Sequence, residues 1–184
     1  MRLIGFVLIA MVTWRATAVA EPYVAHTDLE FRGGVDVMCG SCDPHRGRAS
    51  FQVFADRLTP VLPFRNGMVE IGLYAKGALL DGGHVPQIAG GAIAGYRFQR
   101  YELIVNVGLA YATQEIGSAV SPDSSQTRGT YDLGMALRYD IERYYLSIGY
   151  KHNSNGEDFG LNFFGSKEHN PGIDGVFLGV GIRF

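Results

Sequence analysis

"YYLSIGYKHNS", residues 144–154, reads as one β-strand with two chemically different faces. Tyr144, Leu146, Ile148, Tyr150, His152 and Ser154 alternate with Tyr145, Ser147, Gly149, Lys151 and Asn153, and successive side chains of a strand point to opposite sides of its sheet. The first set is apolar until its last two members. The stretch "GIDGVFLGVGIRF", residues 172–184, repeats the scheme, with Val176, Leu178, Val180, Ile182 and Phe184 set against Phe177, Gly179, Gly181 and Arg183. Extended backwards, the parity of the first group reaches Asp174. A histidine, a serine and an aspartate thus stand at the ends of two otherwise apolar faces.

Working outward from this pair, period-two segments recur along the chain and helical periodicity does not. Residues 29–37 bring Leu29, Phe31, Gly33, Val35 and Val37 to one face, and residues 50–56 do the same with Phe51, Val53 and Ala55. Residues 68–77 oppose Val69, Ile71, Leu73 and Ala75 to Glu70, Gly72, Tyr74 and Lys76. Three more segments follow, at about 88–98, 101–111 and 131–140, the last with Tyr131, Leu133, Met135, Leu137 and Tyr139 on one side and Asp132, Gly134, Ala136, Arg138 and Asp140 on the other. Pro60 and Pro63 lie between the second and third segments. Because a paired central strand does not accommodate proline, residues 57–66 are expected to be a connection. The total is eight strands.

Which face meets water decides the architecture. In a soluble sheet protein, such as a lipocalin-like barrel, the apolar face would turn inward. Here the second face mixes glycine with Glu70, Lys76, Arg97, Glu102, Arg138 and Lys151, and several apolar faces end in Tyr or Phe. An apolar exterior with aromatic ends and a lumen filled by ion pairs, among them Arg97, Glu102, Arg138 and Asp140, fits both facts. The fold class expected is all-β: an eight-stranded antiparallel transmembrane β-barrel. The 25 glycines and 22 aromatic residues support a narrow barrel, in which small and large side chains must alternate. Short links after strands two, four and six belong to the periplasmic side, and long loops after strands one, five and seven to the outside. His152, Ser154 and Asp174 then fall at the outer rim. A charged group facing lipid costs about 2–4 kcal/mol at the midplane but only about 0–1 near the interface, so these residues suit the rim.

The chain begins with Arg2, an apolar run over residues 3–12 and small residues ending at Ala20, which together read as an export signal. The expected organisation is a signal peptide at 1–20 and a barrel domain at 21–184. The formal net charge of -2, about -4 once Arg2 and Arg15 leave with the signal, offers no basic surface for nucleic acid. Cys39 and Cys42, in "CGSC", suit a local disulfide in an oxidising envelope better than a metal half-site. His26, His45, His84 and His169 are scattered and form no evident ligand set. Neither a metal nor a cofactor is expected. The sequence assigns no oligomeric state, and a homodimer is one of those compatible with it.

Serine becomes a nucleophile when a neighbouring base takes its proton, and the base works best when a carboxylate holds its other ring nitrogen. Residues two apart on a strand share a face at about 6–7 Å between Cα atoms, which suits His152 as base and Ser154 as nucleophile. Asp174 on the neighbouring strand is the candidate orienting acid, for which loop residues Glu157, Asp158 and Glu168 are alternatives. Asn155 and Asn170 are candidate donors to a developing oxyanion.

"HNSNG" at 152–156, "NPGID" at 170–174 and a glycine-rich last strand ending "GIRF" resemble the lipid A 3-O-deacylase family, the PagL-type outer-membrane barrels. The resemblance covers about residues 150–184. It implies a bacterial outer-membrane esterase that hydrolyses the ester-linked acyl chain at position 3 of lipid A, with lipopolysaccharide as substrate and membrane lipids as surroundings. It makes Ser154 the nucleophile, His152 the base, and Asn155 and Asn170 the oxyanion donors. The family's usual acid is a glutamate where this chain has Asp174, one methylene shorter, and the loop between Asn155 and Asn170 is longer than usual. The competing readings are a non-catalytic barrel serving as anchor or adhesion platform, and a phospholipase or acyltransferase of outer-leaflet lipids.

Overall fold

Alternating apolar and polar residues favour a sheet whose two faces meet different surroundings, and closing that sheet removes its edges. The computed structural model describes residues 23–39, 47–80, 85–112, 129–154 and 172–184. Among them are eight strands: β1 (His26–Cys39), β2 (Arg48–Phe64), β3 (Gly67–Leu80), β4 (Val85–Phe98), β5 (Tyr101–Ala112), β6 (Gly129–Ile141), β7 (Tyr144–Ser154) and β8 (Gly172–Arg183). Each pairs antiparallel with the next, and β8 pairs with β1 to close the barrel. The expected export signal at 1–20 lies outside the described residues.

The apolar face points outward. Phe31, Leu73, Ile88, Leu109, Ile148 and Leu178 are all exposed on the wall, while Glu30, Glu70, Glu102, Asp132 and Arg138 are buried in the lumen. This is the reverse of a soluble barrel, and an exterior of this composition suits hydrocarbon. Tyr101 and Tyr139 pack with ring centroids 5.2 Å apart near one end, where Phe64 and Tyr96 also meet at 6.2 Å.

The lumen carries apolar as well as charged side chains. Phe54, Leu58, Tyr74, Ile93, Ile104, Ala136 and Phe177 form an apolar cluster within it, and the Arg32 guanidinium lies 3.7 Å from the ring centre of Phe54 and 4.4 Å from that of Phe177. Arg138 is fully buried and donates to four carboxylates: Asp28 at 2.9 Å, Glu30 at 3.1 Å, Asp56 at 2.5 Å and Glu102 at 3.3 Å. Tyr145 needs the room that a glycine leaves, because a Cβ on its partner Gly181 would come within 2.1 Å of its ring. The expected interior ion pairs are present, with Arg97 3.3 Å from Glu102 and Asp140 2.7 Å from Arg183.

Residues 57–66 are not the connection that the prolines suggested. β2 runs through Pro60 and Pro63 to Phe64, and the link to β3 is only the two-residue turn at Arg65 and Asn66. The pairing of β2 with β1 ends at Leu58 opposite His26. Beyond that point β2 has β3 as its one partner, with a register shift between Pro60 and Leu62. Proline is tolerated on such an edge, where no second neighbour needs its N–H. Two-residue turns also join β4 to β5 and β6 to β7, and Arg65, Gln99 and Glu142 at their first positions have φ of 53°, 54° and 58°. Such turns match the twist of the strands they join. All three lie at one end, and the longer connections leave from the other.

Candidate functional site

β7 separates two environments within eleven residues. Its inward Lys151 bonds Asp36 at 2.6 Å and Ser50 at 2.9 Å across the lumen, whereas Tyr144, Leu146 and Ile148 cover the outer wall. On this outer face, at the end with the long connections, the apolar row gives way to Tyr150 and His152. The register sets His152 directly opposite Asp174 of β8, and directly opposed residues are the closest cross-strand neighbours in an antiparallel pair.

The two side chains meet. His152 Nδ1 lies 2.8 Å from Asp174 Oδ1, with side-chain exposures of 13% and 26%. Asp174 therefore stands beside the imidazole. An ionised carboxylate only accepts hydrogen bonds, so this contact is made by Nδ1–H. The phenol of Tyr150 donates to the same oxygen, Asp174 Oδ1. The sequence reading missed Tyr150 as a site residue, although its place two residues before His152 on the same face was the available signal.

Ser154 is the last residue of β7, paired with Tyr131 of β6 and two positions beyond His152. Asn155 and Asn170 lie outside the described residues, as do Glu157, Asp158 and Glu168. Cys39 ends β1 opposite Gly172, while Cys42 is outside the described residues, and with it the expected disulfide.

A second polar cluster lies in the lumen near the tight turns. The expectation that His26 is a scattered loop residue is corrected: it begins β1, is buried, and has ring nitrogens within 3.6 Å of Asp28 and Glu102 and 3.9 Å of Glu70. His26 with Glu70 and Glu102, or with Asp28 and Asp56, places ligand atoms within 4.8 Å of one another, close enough for a metal ion. The cation now among them is Arg97, whose Nη2 is 2.6 Å and 2.8 Å from the two ring nitrogens. The spacing of the histidines hid this group because its members come from β1, β2, β3 and β5.

A scan of protein-family models and a search of curated proteins each find no match. Solved structures do match. The chain is similar to the outer membrane enzyme PagL, with a TM-score of 0.61 and 12% identity over 84% of this chain and 98% of that one. It is also similar to Ail, the attachment invasion locus protein of Yersinia pestis (TM-score 0.47, 10% identity, 88% of this chain and 100% of that one), and to Neisserial surface protein A (TM-score 0.46, 13% identity, 86% and 95%). At 12% identity the likeness to PagL is one of fold, and it supports the eight-stranded barrel of that outer-membrane structure.

Proposed function

We propose that this protein is an outer-membrane serine esterase that removes the ester-linked acyl chain at position 3 of lipid A. The observation that carries the reading is the contact of 2.8 Å between His152 and Asp174 on the apolar outer wall. An imidazole with its Nδ1 held by a carboxylate is the arrangement that prepares a general base. Its place matters equally. A site on the wall of a lipid-embedded barrel, at the end of an apolar row, faces the depth at which acyl esters of membrane lipids lie.

In this reading the alternation of β7 carries Ser154 to the face of His152. The imidazole Nε2 takes the Ser154 proton as the hydroxyl oxygen attacks the ester carbonyl. Asp174 stabilises the imidazolium so formed, and Asn155 and Asn170 donate to the oxyanion. Collapse of the tetrahedral intermediate expels the sugar hydroxyl, which takes the proton from Nε2. Water, deprotonated by the same nitrogen, then releases the acyl chain from Ser154.

The test is incubation of the purified barrel with lipopolysaccharide in detergent, followed by mass spectrometry of the lipid A. Loss of one 3-hydroxyacyl group from position 3, abolished by Ser154→Ala, is the expected result. No loss with the wild-type barrel would leave a non-catalytic anchor or adhesion platform as the reading, and equal loss with Ser154→Ala would remove Ser154 as the nucleophile. Release of phospholipid chains instead would reassign the substrate.

A further inference from the structure

We propose that Tyr150 is a positioning residue of the rim site, holding the Asp174 carboxylate against His152; the proposal rests on the esterase reading above. Tyr150 lies opposite Val176, one diagonal step from Asp174, and diagonal cross-strand neighbours are within reach of an aromatic side chain. Its phenol and the His152 Nδ1–H converge on a single oxygen, Asp174 Oδ1.

The need for a second donor follows from the surroundings. Asp174 is only 26% exposed and lies on a wall whose neighbouring outward residues, Val176 and Ile148, are apolar. A carboxylate partly removed from water needs hydrogen-bond donors. With His152 alone the carboxylate could rotate about its last torsion, which is broad for aspartate. Two donors approaching one oxygen from the same strand fix that rotation. Tyrosine suits the task because its ring belongs to the apolar row while its hydroxyl reaches toward the polar rim.

Sharing an oxygen has a consequence that packing does not. The phenol takes up part of the acceptor strength of Oδ1, so its removal makes the carboxylate a stronger acceptor for His152 while freeing it to turn. Tyr150→Phe, which keeps the ring, is therefore expected to lower kcat about tenfold, the size of one hydrogen bond's net contribution, with KM unchanged, as for a residue that acts only through Asp174. In the detergent-solubilised barrel, the low-field Nδ1–H proton resonance of His152, assigned by its loss in His152→Ala, should move further downfield in Tyr150→Phe.

Tyr150→Leu separates ring from hydroxyl. A kcat that falls only with Leu, or a His152 resonance that does not move with Phe, overturns the proposal. A wild-type barrel that cleaves no acyl ester overturns the esterase reading instead, and the resonance still decides whether phenol and imidazole share the Asp174 oxygen.

Discussion

Two polar clusters of this barrel are built on opposite plans. In the lumen, Arg138 is wrapped by carboxylates from β1, β2 and β5, and Arg183 adds bonds of 2.9 Å to Asp28 and 2.7 Å to Glu102. Arg138, Arg183, Asp28, Glu30 and Glu102 each pair with more than one opposite charge there. At the rim, His152, Asp174 and Tyr150 are a small island on two adjacent strands, set into an apolar wall. The lumen network holds eight strands in one arrangement. The rim trio ties β7 to β8 where the backbone ladder already does so.

The comparison can be broken from either side. The largest effect belongs to the rim. Ser154→Ala or His152→Ala should lower the rate of acyl release by about 10⁴- to 10⁶-fold, measured by mass spectrometry of lipid A, while the barrel keeps its heat-modifiable migration on gels. Asp174→Asn removes the charge that orients the imidazole and should cost about 10⁴-fold in kcat, again with the fold intact. If any of these three variants fails to form a barrel, the rim has a structural role.

The lumen should respond in the opposite sense. Arg138→Met leaves Asp28, Glu30, Asp56 and Glu102 buried without their common partner, and should destabilise the barrel by about 3–5 kcal/mol. Urea unfolding in lipid vesicles measures this, and hydrolysis per folded molecule should be unchanged. The smallest effects probe the wall itself. Leu73→Lys, midway along β3, should cost about 2–4 kcal/mol, and Phe184→Lys, beyond the end of β8, about 0–1 kcal/mol. Equal costs at the two depths would mean that the outer wall does not face hydrocarbon.

Much of this was legible before any coordinates. The bounds of β7 follow from strict alternation between the turn at Glu142 and the polar run after Ser154, and the inward and outward sets of β6 are those read from its pattern. That Asp174 could approach His152 was legible too, because both stand where adjacent antiparallel strands meet the same loop. Three features were not. Pro60 and Pro63 looked incompatible with a strand because nothing local tells that β2 outruns β1. His26 looked isolated because its partners Glu70 and Glu102 stand two and four strands away around the barrel. Tyr150 passed for one more member of the apolar set of β7, since only side-chain direction shows its hydroxyl on Asp174.

The amino-acid sequence by itself determined the strands, their outward and inward faces and the candidate rim residues, because side-chain alternation and turn chemistry act over a few neighbouring positions. Only the tertiary structure decided which charges meet across the lumen, where a strand becomes an edge and which donors share the Asp174 oxygen. Those depend on the closure of β8 onto β1 and on the stagger between strands, and closure brings together residues more than a hundred positions apart, as Arg138 and Asp28 are.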